Sequence, residues 1–316
     1  MKHLSVIILL AAALAPSCGQ TTKKETKLLE CDYVTTPADS LLASEIVGNL
    51  ARYYADRDAS TAELMAVAGR SLLGKEYVAG TLDVGDKEVL CLFLNKTDCI
   101  LFVEACTALA RAAKDPAYPD NAFFSYASAV FQTRYRDGKV ERYSDRIHYT
   151  TEWVRQAQAN GILEDKTLEF GGEVFDHPIG FMSDNPQYYK QIAGAAHDPE
   201  AAKDLEAIKE VENTLNRTPQ YYSKDVDIKK AEPFIQTGDI IGYMSTTEGL
   251  DIAHVAMAYV TDSDGNVVYG PHEGDVKVGF MHASMGEMQV VIDHQSIADY
   301  ACGRKSISGI CVARVK

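Results

Sequence analysis

The stretch "DIAHVAMAYV", residues 251–260, decides the fold. Side chains alternate between the two faces of an extended chain, so Ile252, His254, Ala256, Ala258 and Val260 share one side of a strand. Strand character repeats around it in "DIIGYMS", "NVVYG", "KVGFMHAS", "MQVVID" and "GICVARV", with turn signals such as "TDSDGN" between. That turn lacks the later ligands and closing glutamate of a calcium loop and reads as a hairpin turn. Earlier in the chain the period changes to that of helices. "TPADSLLASEIVGNLARYYAD" has Thr36 as its cap and Pro37 in the first position. "STAELMAVAGRSLLG" has Ser60 and Glu63 spaced as a capping box and Gly74 to end it. "EYVAGTL" and "EVLCLFL" are short strands. The region around 114–230 reads as a large, loop-rich insertion, with one helix near "YTTEWVRQAQANG" and another from Asp198 and Pro199 to about Leu215. Helices first and antiparallel strands last predict an α+β fold.

Between the two halves lies "KTDCILFVEA", residues 96–105. Thr97 and Asp98 are good N-cap residues. From Cys99 the apolar positions Phe102, Val103, Cys106, Leu109 and Ala110 follow at three- and four-residue steps, which predicts a helix with Cys99 in its first turn. A free cysteine is commonly a buried core residue. At a helix N-terminus, however, unpaired N–H groups and the helix dipole favour a thiolate. His254 has the same two readings, a structural histidine or the base a thiol nucleophile requires. His282, in "FMHAS", is a second candidate on a nearby strand.

Of the 316 residues, 45 are acidic and 31 are Lys or Arg, a formal charge of −14. Such a surface argues against a nucleic-acid partner, which would need basic patches. The N-terminus, Lys2 and His3 followed by "LSVIILLAAALA", reads as a signal peptide over 1–17. "LAPSC" resembles the lipobox of bacterial lipoproteins, which implies lipidation of Cys18 and a tether over 18–34. Removing 1–17 takes away only Lys2 and shifts the charge from −14 to −15. The expectation is an exported protein, lipid-anchored in the periplasm or cell envelope. Seven cysteines show no zinc spacing and there is no H-E-x-x-H, so no metal or cofactor is expected. Cys302 and Cys311 are close enough in sequence to pair. No G-x-S-x-G supports a serine nucleophile.

"GKEYVAGTL", "TDCILFVEA", "HVAMAY" and "MHAS", in this order, resemble the signature of the NlpC-type, papain-like cell-wall cysteine hydrolases. "YSDRIHYTTEW", "GFMSDNPQYY", "TGDIIGYMS" with "GLDIAHV", and "GICVAR" are similar to blocks of the N-acetylmuramoyl-L-alanine amidase-like branch. The resemblance runs over residues 35–316. It implies one papain-like domain in which the helix bearing the nucleophile packs on an antiparallel sheet, with N-terminal helices and the insertion added. It also implies Cys99 as nucleophile, His254 as base, His282 as the residue orienting that base, and Tyr77 as a hydroxyl reaching the site. His272 is the fallback for the third role. The implied reaction cleaves the amide between N-acetylmuramic acid and L-alanine in peptidoglycan or its muropeptide fragments. A γ-D-glutamyl endopeptidase of the stem peptide and a non-catalytic lipoprotein binding wall fragments are the alternatives. Asp98, Arg146 and Asp251 are candidate substrate-binding residues, Arg146 as a clamp for a stem carboxylate. Trp153 reads as core.

Overall fold

The structure is a computed structural model that describes residues 29, 31–115, 120–223 and 225–316. The expected signal peptide, Cys18 and most of the expected tether lie outside the described residues. The elements in chain order are β1 (Tyr33–Val34), α1 (Pro37–Arg57), α2 (Thr61–Ser71), β2 (Glu76–Tyr77), β3 (Leu90–Cys91), β4 (Lys96–Thr97), α3 (Cys99–Ala113) and α4 (Ala122–Arg134). There follow α5 (Thr150–Ala159), β5 (Leu163–Asp165), β6 (Glu173–Val174), α6 (Phe181–Asp184), α7 (Pro199–Arg217), β7 (Tyr221–Tyr222) and α8 (Asp225–Ala231). The chain closes with β8 (Ile240–Ser245), β9 (Ile252–Asp262), β10 (Val276–Ser284), β11 (Gln289–Asp293), α9 (Ile297–Cys302) and β12 (Ile307–Val315).

One eight-stranded sheet, in the order β4-β2-β11-β10-β9-β8-β12-β5, organises this α+β fold. Its pairings are antiparallel except for β2 with β4. Strand alternation sorts the core onto two faces. Val255, Met257, Tyr259, Met281 and Ala283 join the residues of α1 to α4 in the main core. Ala256, Ala258, Val260, Phe280 and Tyr243 face the other way, with Ile297, Ala298 and Tyr300 of α9. On the first face, Gly69 lets α2 approach the sheet closely. A Cβ there would stand 2.7 Å from the Met257 Cε and 3.0 Å from that of Met281.

Several caps fall where the sequence placed them. Thr36 Oγ1 accepts the Asp39 N–H at 3.1 Å, with Pro37 in the first turn. Asp198 caps α7 through the Glu200 N–H. Only half of the expected box at α2 forms. Ser60 accepts the Glu63 N–H, while the Glu63 carboxylate accepts the Tyr53 hydroxyl at 2.6 Å.

The region expected to be loop-rich is more ordered than its turn signals imply. α4 packs on α1 and α3, with Tyr126, Ala127 and Val130 in the main core, and β5 pairs with β12 at the sheet edge. Tyr143, Tyr149, Ile179, Met182, Ile192, Ile208 and Leu215 form a core of their own beneath α6 and α7. "NVVYG" makes only an isolated bridge, Thr261 with Val267, in place of the expected strand. Trp153 is core, as expected. Cys311 carries a free thiol packed against Gly242, so the possible Cys302–Cys311 pair does not form. Among the described residues no helix is long and apolar enough to cross a membrane.

Candidate active site

Cys99 is the first residue of α3, and Asp98 is its N-cap, accepting the Leu101 N–H at 3.0 Å. The loop leading into this cap is fixed from α1. The Asp39 carboxylate accepts the Leu94 and Asn95 N–H groups at 2.9 and 2.8 Å, together with the Asn95 side-chain amide at 2.8 Å. Burial alone would raise the Asp39 pKa, but these bonds and the one from Thr36 outweigh it and hold the carboxyl below its ordinary value. The body of α3 is buried at Phe102, Val103, Cys106 and Leu109. Burying Phe102 alone is worth about 1.5–3 kcal/mol. The cysteine is therefore held from behind by a cap, a clamped loop and a packed helix.

A slip in register places His254. Tyr243 of β8 opposes His254, whereas its neighbour Met244 opposes Ile252, leaving Ala253 as an extra residue in β9. Bulges of this kind re-aim side chains locally. The His254 Nε2 lies 2.7 Å from the His282 Nδ1, and the two rings meet nearly edge-on at 80°. Beneath them lies an aromatic floor. Tyr243 stacks on His254 at 5.8 Å, and Tyr300 is within 5.8 Å of His254 and 6.0 Å of His282, centroid to centroid. The start of α3 packs on β9, and the Val255 N–H lies close enough to the Cys99 thiol to pull its pKa down. Val255 directly follows His254, so the thiol lies beside β9, which carries His254, while His282 stands on the neighbouring β10.

The electrostatics favour neutral groups. Burial, reinforced by the Asp98 carboxylate, pushes the Cys99 thiol up to about 11 against the pull of the backbone N–H groups. Burial, then the neighbouring His282 and Arg304, lowers His254 to about 3. Burial also lowers His282 to about 4, with Asp293 pulling the other way. A thiolate–imidazolium pair, the usual expectation for a cysteine beside a histidine, is thus disfavoured in the resting site. Tyr77 is half-buried. Burial, then Cys99 and Asp98, raises its phenol pKa, which puts its hydroxyl in the electrostatic range of the thiol. Its backbone N–H donates to the Met288 carbonyl at 2.9 Å, in a hairpin tip where Met288 adopts a left-handed φ of 54°.

The remaining candidates separate by position. Asp251 is buried and accepts the Thr151 N–H at 2.8 Å and the Ile252 N–H at 2.7 Å, so it ties the start of α5 to the start of β9. Arg146 is also buried. Its guanidinium meets Asp83 at 2.6 Å, Glu88 at 3.5 Å and the Leu82 carbonyl at 3.2 Å, and it lies over the Tyr143 ring. That set of partners leaves Arg146 engaged by the protein itself. The Asp98 carboxylate serves the helix cap. His272 bonds the Ile235 carbonyl at 2.8 Å, and the histidine that meets His254 is His282.

An open cleft of about 660 Å³ borders the pair, lined by His254, His282, Ser284, Asp293, Tyr300 and Arg304 among others. Sequence reasoning did not single out Tyr300, Arg304 or Asp293. The short apolar helix "IADYAC" carries no motif, and only the fold brings it under the histidines.

The family model for AmiA-like, N-acetylmuramoyl-L-alanine amidase-like proteins matches residues 67–307. The chain belongs to that family. The match covers Tyr77, Cys99, His254, His282 and the cleft. An N-acetylmuramoyl-L-alanine amidase from Bacteroides uniformis superposes with a TM-score of 0.68 at 27% identity, covering 82% of this chain and 100% of its own. A Bacteroides fragilis protein provisionally named a xylanase superposes at 0.64 with 29% identity, over 78% of this chain and 99% of its own. A Legionella pneumophila protein shares the fold at a TM-score of 0.57 and 19% identity, over 88% of this chain and 96% of its own. None of the curated proteins compared with the chain matches it. Family and neighbours together support a hydrolase with a peptidoglycan-related function.

Proposed function

We propose that this amidase-like protein is a papain-like cysteine hydrolase of the NlpC type, with residues 35–316 as its catalytic domain. Its reaction hydrolyses the amide between N-acetylmuramic acid and L-alanine. Two observations support the reading: a thiol at the start of α3 within electrostatic reach of the Val255 N–H, the residue after His254, and the hydrogen-bonded His254–His282 pair. For His254 Nδ1 to accept the thiol proton, its Nε2 must hold a proton and donate it to His282 Nδ1. His282 thus fixes the tautomer and ring orientation of His254. It also stabilises the imidazolium once that forms.

Because burial keeps both partners neutral at rest, proton transfer from Cys99 to His254 accompanies formation of the S–C bond. The carbonyl oxygen becomes an oxyanion facing the Cys99 N–H and the Tyr77 hydroxyl. Collapse breaks the C–N bond, and His254 returns its proton to the departing amine. Water, deprotonated by His254, then attacks the thioester. The products are the muramic acid and the free stem peptide, and the thiol is restored. The xylanase name of one neighbour implies glycoside cleavage by two carboxylates. Glu287 and Asp293 line the cleft, but the groups hydrogen-bonded to each other there are the imidazoles of His254 and His282. The reading extends to an exported protein anchored through lipidated Cys18.

The test is incubation of a defined N-acetylmuramoyl-peptide with the wild type and with Cys99→Ala, followed by mass spectrometry. Free sugar acid plus intact stem peptide, absent with the variant, supports the reading. A cut within the stem assigns the γ-D-glutamyl endopeptidase reaction instead. No cleavage of fragment or wall leaves a binding protein.

A further inference from the structure

We propose that Arg304 forms a carboxylate-binding subsite in the His254–His282 cleft and selects substrates whose peptide carries a free carboxylate. The proposal rests on the amidase reading, and it names the substrate feature that the cleft recognises. Arg304 follows α9 and lines the cleft with both histidines. Its guanidinium carbon lies 3.4 Å from the centroid of the Tyr300 ring, and Nη1 donates to the Tyr300 carbonyl at 3.0 Å. Tyr300 is itself only 8% exposed and packs under His254, His282 and Phe280. An exposed arginine is thereby pinned to a buried platform at the edge of the reacting groups. Stacking on an aromatic face and a planar fork of five N–H donors suit it to bidentate recognition of a carboxylate.

Among the described residues, no internal carboxylate occupies its guanidinium, unlike those of five other arginines. Arg134, Arg136, Arg142, Arg146 and Arg314 each meet a carboxylate. Among the described residues, no carboxylate stands within ion-pair distance of Arg304. Two acids, Glu287 and Asp293, also line the cleft. Asp293 Oδ1 already accepts the Gln295 N–H at 2.8 Å. Both repel an incoming anion elsewhere in the cleft, which confines it to the guanidinium. In a chain of net charge −14, anion binding here is a local property of Arg304 and not a general attraction.

The test titrates Cys99→Ala protein calorimetrically with N-acetylmuramoyl-L-alanyl-D-glutamate and with the same compound amidated at both carboxyls. The acid binds about tenfold more tightly, about 1.4 kcal/mol. Arg304→Gln in that background abolishes the preference and leaves the affinity for the amidated compound unchanged, which loss of a purely structural residue would not do. Arg304→Lys retains part of the preference, so a poorly folding Gln variant does not shield the proposal. Equal affinity for the two compounds, a preference that survives Arg304→Gln, or no binding of either overturns the proposal. Cleavage of both compounds by wild type without a charge preference removes the subsite and leaves the amidase reading standing. A preference without cleavage does the reverse.

Discussion

Two regions of this protein bury ionisable groups, and they do so in opposite ways. Between α3 and α4 the buried Arg134 guanidinium is saturated by the Glu104 carboxylate and the Cys91 carbonyl. Nearby, Arg146 is enclosed by Asp83, Glu88 and Tyr143. Each charge there has its counter-charge. At the start of α3 and on the adjacent strands, the half-buried Cys99 and His254 and the buried His282 have no counter-ion sufficient to charge them, and each pKa is shifted toward the neutral form. Saturated burial fixes a fold. Unsaturated burial keeps groups poised to exchange protons with one another, which is what a reaction site needs.

The largest effect expected from breaking this contrast is on the reactive side. Cys99→Ala lowers turnover by about 10³-fold or more and leaves the thermal melting curve nearly unchanged, because the nucleophile carries the reaction and little of the packing. A melt shifted as far as that of a core deletion would make Cys99 a structural residue. On the saturated side, Arg134→Met strands the Glu104 carboxylate and costs about 3–5 kcal/mol of stability in denaturant titrations. Adding Glu104→Leu recovers most of that loss. If the single substitution is silent, the two regions do not differ as described.

The pH dependence sharpens the comparison. His254 and His282 have folded pKa values of about 3 and about 4, below the unfolded value near 6.5. Their contribution to stability is complete above about pH 6.5. It is lost as pH falls toward 4, by about 1.4 kcal/mol per unit for each histidine still neutral in the fold. Burial raises the pKa values of Asp251 and Glu88, and these groups work in the opposite sense in acid. Replacing both histidines with Gln flattens the slope between pH 6.5 and 4.5, and an unchanged slope would show that they are not held neutral. The smallest effect is at the cap. Asp98→Ala costs about 1 kcal/mol of stability through the lost Leu101 bond. It also lowers the Cys99 pKa, because the nearby carboxylate is gone, and iodoacetamide alkylation rates against pH measure that shift.

Much of the fold was legible because its signals are local. The Thr36 and Asp98 caps, the alternation of 254–260 and the α3 stripe depend on neighbours a few residues apart. Ile252, by contrast, falls on the face opposite to His254, contrary to expectation, because the extra residue Ala253 interrupts the alternation. α4 was not legible. "AFFSYASAVFQTR" has no side-chain cap at Asn121, and its apolar residues mark no narrow stripe, since it is wedged between other helices. For the site, Cys99, His254 and His282 came from ordered motifs, and the structure brings His254 and His282 together. Asp98, Arg146 and Asp251 illustrate the limit. A sequence shows a charged residue near a motif but not the partner that already occupies it, here a helix cap, an acidic loop and the start of α5. Tyr300 and Arg304 became visible only once α9 was folded beneath the histidines.

The most direct test of the central claim is an acid-quenched single turnover of the wild type with an N-acetylmuramoyl-peptide, read by intact-protein mass and then by peptide fragmentation. Trypsin releases residues 97–111, which carry both Cys99 and the fully buried Cys106. The account predicts a muramoyl acyl adduct on Cys99 alone that decays as free sugar acid appears. Turnover with no adduct on Cys99, or with one on another residue, would contradict it.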